Sequence, residues 1–352
     1  MSTSDYLALL GADDATISAL ETAGDLVPGR VTRAEHSLVT VLTPAGQLRA
    51  ALGHTELPCS GDWVLINVTD PSSPAVARVL PRRTALVRHA AGKQSVPQTL
   101  AANMDDVFVT VAADRDVSLD RIERFLALVW ESGATPVVVL TKSDLLPPGA
   151  GGPLLTAAMN VAPGAEVYLV SVVTGDGIDE LSVRLRPNRT AALIGSSGAG
   201  KSSLLNAMAG ADVAATSDVR DVDGKGKHKT AWRELVLLES GGAVIDTPGL
   251  RGLGVWLDQG GLDATFADVA ELAAQCRFSD CRHESEPDCA VLAAIESGEL
   301  AARRLESYRK LEREAAYVAR KTDARARHEA TRAWVVKVKQ TAGRTRQPSR
   351  YS

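Results

Sequence analysis

The run Gly195-Ser196-Ser197-Gly198-Ala199-Gly200-Lys201-Ser202 constrains this chain more than any other feature. It fits G-x-x-x-x-G-K-[ST], follows the apolar segment Ala191 to Ile194, and leads through Ser203 into Leu204-Leu205-Asn206-Ala207-Met208. A buried strand must give way to a helix through a loop with glycine where side chains would block an anion. Its backbone N–H groups and the helix dipole then face phosphate, Lys201 reaches the outer phosphates, and the Ser202 hydroxyl is placed to ligate Mg²⁺. The pattern predicts a nucleoside triphosphate site, with a plain Gly-rich turn as the bland reading.

The strand signals sort into two kinds. Between Val31 and Leu80, short β-rich runs (Ser37 to Leu42, Leu48 to Leu52, Asp62 to Val68, Val76 to Leu80) are broken by turns such as Thr43-Pro44-Ala45-Gly46, the pattern of a small barrel. Past a polar stretch to Thr99, buried strands at Asp106 to Val111, Pro136 to Leu140, Val167 to Val170, Ala191 to Ile194, Leu235 to Leu238 and Ala243 to Asp246 alternate with helices such as Leu119 to Trp130. That is a doubly wound α/β arrangement. After about Trp256 the strands stop and helical sequence continues, so the chain reads as a multidomain α/β protein. The expected units are a helical lead-in (1–25), an oligonucleotide-binding-type barrel (26–98), an α/β nucleotide domain (99–258) and a helical domain with a tail (259–352).

Charge separates the last unit from the rest. From Arg303 onward there are 15 Lys+Arg against 5 Asp+Glu, while the remaining residues carry 24 against 38. Such a segment attracts polyanions by counterion release, and from charge alone a solvated basic helix is the equal alternative. No stretch approaches ~18 continuous apolar residues and the N-terminus lacks a secretory pattern, so no membrane contact and a cytoplasmic location are expected.

Three further motifs choose the chemistry. Asp246-Thr247-Pro248-Gly249 closes an apolar strand, where the carboxylate can hold Mg²⁺ through water and the Gly249 N–H can meet the γ-phosphate. Thr141-Lys142-Ser143-Asp144 and Ser171-Val172-Val173-Thr174-Gly175 each follow a strand, at the carboxyl ends where open α/β sheets bind ligands. Guanine presents N1–H and an exocyclic amine to a carboxylate, whereas adenine does not, so a buried Asp144 selects GTP and disfavours an ATP-dependent enzyme. Cys276-x₄-Cys281-x-His283-x₅-Cys289 supplies a Cys₃His shell with no open position, which predicts a structural Zn²⁺ and argues against a zinc hydrolase. Cys59 and Trp63 are read as core.

The base-reading elements at 141 and 171 precede the phosphate loop, which precedes the Mg²⁺ carboxylate. In this permuted order the chain resembles the RsgA/YjeQ family of small-ribosomal-subunit-dependent, circularly permuted GTPases, from its β-rich start to its Cys/His segment. The resemblance implies a GTPase that assists late maturation of the small ribosomal subunit, contacts its rRNA, is stimulated by it, and leaves on hydrolysis; a monomer is expected. It places switch I at Gly224 to Thr230, with His228 orienting the attacking water and Thr230 contacting Mg²⁺ and the γ-phosphate. Leu250 stands where many GTPases carry a water-positioning Gln, which implies slow intrinsic turnover. The family's zinc ligands match all four Cys/His positions. Two departures stand out: Thr141 replaces the usual Asn, which removes one amide contact to guanine, and His228 is followed by Lys-Thr-Ala instead of threonines. The alternative from another class is a non-enzymatic RNA-binding placeholder that keeps GTP as a structural ligand.

Overall fold

The computed structural model describes residues 1–22, 24–53, 57–89, 97–114, 117–214, 234–247 and 259–317. The expected switch residues His228 and Thr230, Gly249, Leu250 and the basic stretch beyond residue 317 lie outside them.

Five parallel strands and one antiparallel strand build the nucleotide domain. They are β8 (Asp106–Ala112), β9 (Thr135–Thr141), β10 (Glu166–Leu169), β11 (Thr190–Gly195), β12 (Glu234–Leu237) and β13 (Ala243–Asp246). The order across the sheet is β10-β9-β8-β11-β13-β12, with β12 antiparallel to β13. Continuous apolar runs are needed here because both faces are covered. Val107, Val109, Val111, Val138, Leu140, Ile194 and Ile245 join the core under helices α3 (Leu119–Glu131) and α4 (Gly151–Val161). The alternating Phe108, Val137, Val139, Leu193 and Val244 pack on the other face with Leu181, Leu204 and Leu205 of α5 (Ile178–Arg184) and α6 (Lys201–Ala209). All five parallel strands deliver their carboxyl ends to one edge.

The barrel has the strands β1 (Val27–Ala34), β2 (Leu38–Thr43), β3 (Gly46–Ala51), β4 (Trp63–Asn67) and β5 (Ala75–Val79) in the order β1-β2-β3-β5-β4, closed by pairing of β4 with β1. Val31, Val39, Val41, Val64, Ile66 and Val76 fill it. Trp63 and Leu65 point to the other side and pack with Leu7 and Leu20 of the lead-in helices α1 (Thr3–Leu9) and α2 (Asp14–Glu21), and with Leu10, which caps α1. Trp63 and Cys59 are buried, as core residues should be. The expected polar stretch before Thr99 holds a hairpin instead, β6 (Ala85–His89) with β7 (Pro97–Ala102), because Leu86 and Leu100 are buried in the main core.

Strand β1 joins the barrel to the sheet. Arg33 of β1 pairs with Glu234 of β12, so the barrel extends the central sheet. Arg30 is fully buried; its guanidinium donates to the carbonyls of Leu10, Gly61 and Asn103 and to the Thr190 hydroxyl, and lies 5.0 Å from the Trp63 ring centre. Burial lowers its pKa to about 10, with Asp105 and Asp62 opposing.

Among the described residues from 259 onward only helices, turns and bends occur: α7 (Gln259–Thr265), α8 (Ala267–Ala273), α9 (Ala290–Ser297) and α10 (302–317). A buried ionic knot fastens them to α3. Arg304 reaches Glu123 at 2.6 Å and Asp268 at 2.6 Å, stacks 4.6 Å from the Phe266 ring centre, and shares Glu123 with Arg303 and Ser307. No helix among the described residues is long and apolar enough to cross a membrane.

Candidate functional site

The phosphate loop begins as β11 ends. Gly195 has φ +152, and a Cβ there would lie 2.3 Å from the Thr110 carbonyl oxygen of β8, so only glycine lets the two strand ends approach. Gly200, at φ +82, caps α6 at its N-terminus. The Lys201 ammonium folds back onto the carbonyls of Gly195 and Ser196, at 3.1 and 3.0 Å. Ser202 and Ser203 occupy the first turn of the same helix.

Asp246 ends β13, in register with Leu193 of the phosphate-loop strand on one side and Glu234 on the other. Its Oδ1 is buried and has no hydrogen-bond partner among the described residues. Burial raises the Asp246 carboxyl above its usual range, partly offset by Lys201, while burial lowers the Lys201 ammonium, partly offset by Asp246. An orphaned, buried carboxylate oxygen fits a divalent cation, since a metal ligand needs an unsatisfied anionic oxygen. Thr247 is held by its hydroxyl to the Leu193 carbonyl.

Thr141 and Asp144 serve different neighbours. The Thr141 hydroxyl is buried and donates to the carbonyl of Ala199 in the phosphate loop at 2.8 Å. Lys142 adopts φ +62 and forms a 2.6 Å ion pair with Asp114, at the end of β8. The Ser143 amide donates to Val170 O at 3.1 Å. Asp144 is exposed, not buried as the sequence reading required, because it stands in a single 3₁₀ turn (Ser143–Leu145) at the rim. Its Oδ1 accepts from the Ser171 hydroxyl at 2.6 Å, and Ser171 Oγ in turn accepts from the amides of Val173 and Thr174, each at 3.2 Å. Thus the 141, 171, 195 and 246 segments share one edge of the sheet. Asp114 was absent from the sequence reading; its place just past a strand's carboxyl end was the available signal.

The second cluster lies in the helical region. The ligand atoms of Cys276, Cys281, His283 and Cys289 all lie within 4.8 Å of one another. Cys276 Sγ is 3.6 Å from His283 Nδ1 and 3.8 Å from Cys289 Sγ. Burial opposes ionisation of Cys276, but the amides of Val291 and Ala290 at the start of α9 hold the thiol below its ordinary value. Burial and the neighbouring thiols push Cys281 up to about 11. Glu286 ties the intervening loop by accepting from the amides of Arg282, Glu284 and Ser285 at 2.8 to 3.0 Å, which brings its carboxyl down to about 2. Three soft sulfurs and an imidazole converging on one point fit a tetrahedral metal shell.

The sequence model of the RsgA GTPase family matches residues 79–256. The chain belongs to the RsgA GTPase family. RsgA relatives include the small ribosomal subunit biogenesis GTPase RsgA of Streptomyces coelicolor, 49% identical over 92% of this chain and 90% of that protein. The protein of the same name from Streptomyces avermitilis is 48% identical over 88% of this chain and 85% of its own length. Among solved structures, YjeQ from Thermotoga maritima superposes with a TM-score of 0.62 at 27% identity, covering 83% of this chain and 99% of that one. YloQ, described as a circularly permuted GTPase, has the same fold at a TM-score of 0.59 and 24% identity, covering 84% of this chain and 96% of that one. This RsgA-family chain combines a closed barrel, nucleotide-site segments in permuted order and a Cys₃His cluster.

Proposed function

We propose that this chain is a GTP-hydrolysing assembly factor that binds the small ribosomal subunit and its rRNA late in maturation and is released when GTP is hydrolysed. The observation that carries the reading is the convergence, on one sheet edge, of a phosphate loop, an orphaned strand-end carboxylate and a serine-braced carboxylate drawn from sequence positions in permuted order. Relatives named as small ribosomal subunit biogenesis GTPases, matched along nearly their whole length, supply the partner.

In this reading the backbone of Gly195 to Gly200 cradles the phosphates, Lys201 exchanges its carbonyl contacts for phosphate oxygens, and Ser203 extends the donor set. Lys142 flanks the base, Ser143 helps hold the loop, and Asp144, aimed by Ser171, accepts from guanine N1–H and the exocyclic amine. Ser202 and Asp246 would hold Mg²⁺, which would supply neutralisation of phosphate charge. Gly249 donates to the γ-phosphate, Thr230 closes over it, and His228 orients the attacking water. Cys276, Cys281, His283 and Cys289 would hold one structural Zn²⁺ that staples the helical domain. The basic C-terminal stretch meets rRNA electrostatically, and the protein acts as a cytoplasmic monomer.

The test is GTP hydrolysis by the full chain with and without purified small ribosomal subunits. Slow turnover alone, strong stimulation by subunits and loss of turnover in Lys201→Ala are expected. Subunit binding that needs GTP but never hydrolyses it would establish the placeholder alternative, and hydrolysis indifferent to subunits would overturn the partner.

A further inference from the structure

Asp114 lies between the two halves of the nucleotide site. Strand β8 runs between β9, which ends in the base loop, and β11, which ends in the phosphate loop. Ala112 is in register with Thr141, and the Ala113 amide donates to the Thr141 carbonyl at 2.8 Å, so the chain reaches Asp114 already locked against the base loop. There its Oδ2 takes the Lys142 ammonium at 2.6 Å. Its Oδ1 is buried and has no hydrogen-bond partner among the described residues, so the carboxylate's polar contact is committed to Lys142.

Lys142 needs such an anchor. Its φ of +62 is a left-handed conformation unfavourable for a non-glycine residue, and four rotatable bonds leave an unpaired lysine free to wander. An ammonium fixed at a strand end gives up that freedom before nucleotide arrives, which lowers the cost of binding. The need is sharper in this chain because Thr141 spends its hydroxyl on the phosphate loop and has no amide to offer the base.

We propose that Asp114 is a positioning residue for guanine-nucleotide affinity, acting through Lys142 and not by touching the reacting phosphate. The inference rests on the base-loop assignment made under Proposed function. It goes beyond it in naming a residue outside every nucleotide motif of the sequence.

The experiment is equilibrium titration of the full chain with fluorescent GDP, using Asp114→Ala, Asp114→Asn, Lys142→Ala and the Asp114→Ala/Lys142→Ala double variant. Asp114→Ala should weaken binding roughly three- to tenfold, Asp114→Asn should raise KM while leaving kcat at saturating GTP unchanged, and the double variant should bind no more weakly than Lys142→Ala. Unchanged affinity in both Asp114 variants while Lys142→Ala weakens binding would overturn the role of Asp114, as would additive losses in the double variant. Unchanged affinity in Lys142→Ala would instead overturn the base-loop assignment itself. The Asn variant keeps the shape of the site, so a fold defect confined to the Ala variant leaves the measurement decisive.

Discussion

The hydroxyl of Thr141 donates to the backbone carbonyl of Ala199 across 2.8 Å, so the loop placed to read the base is tied directly to the loop placed to hold the phosphates. The bond is buried, and removing the hydroxyl strands an acceptor at a cost of about 1–3 kcal/mol. Thr141→Val is expected to lower GDP and GTP affinity several-fold, whereas Thr141→Ser retains it. Isothermal titration of both variants checks this, and equal affinities for the two would contradict it.

The helical region is fastened to α3 by Arg304 and Glu123, both almost wholly buried. Each also has other partners, Asp268 for Arg304 and Arg303 with Ser307 for Glu123, so Arg304→Met and Glu123→Gln should each lose about 1–3 kcal/mol of stability by breaking one buried charged contact. Because the two share one contact, the loss in the double variant should be smaller than the sum of the single losses. Chemical denaturation of the set measures the difference.

Metal removal should act locally. The Cys₃His cluster holds together residues from the end of α8 to the start of α9, a segment with few aromatic side chains to pack. Purified protein should carry one metal ion per chain by elemental analysis, Cys289→Ser should lose it, and a chelator should raise amide exchange in α9 before it affects β11. Uniform loss of protection across the sheet would contradict a local staple.

Glu286 predicts an acid-sensitive loop. Its carboxyl is drawn from 4.5 down to about 2 by backbone N–H donors, chiefly those of Arg282 and Ser285. A carboxyl depressed in the folded state adds stability that is fully present above about 4.5 and is lost as pH falls through about 2. The amide shifts of Arg282, Glu284 and Ser285 should therefore titrate with a midpoint near 2, and Glu286→Gln should abolish the transition.

The central sheet was legible because both its faces are buried: Val107 to Val111 and Val137 to Leu140 are apolar at every step except Thr110, and such runs admit few other readings. The phosphate loop was legible because sterics demand its glycines, as the Thr110 carbonyl does at Gly195. Strand β1 was harder. It carries Arg30, which any local reading turns outward, while its partners Leu10, Gly61, Asn103 and Thr190 come from four distant segments. The hairpin of β6 and β7 was missed because its polar residues hide Leu86 and Leu100, whose burial depends on tertiary packing. Local sequence likewise could not report that Asp144 is exposed, since its position follows from the 3₁₀ turn and from Ser171, 27 residues away.

The most direct test of the account is the nucleotide preference of Asp144→Asn. Guanine offers two donors to the Asp144 carboxylate; an amide at that position pairs instead with the N1–H and 2-oxo group of xanthine. Competition binding should show the variant losing GTP and gaining XTP, while Lys201 and Asp246 continue to support binding of the triphosphate. A variant that still prefers GTP would contradict the single permuted pocket in which Asp144 and the phosphate loop hold the same nucleotide.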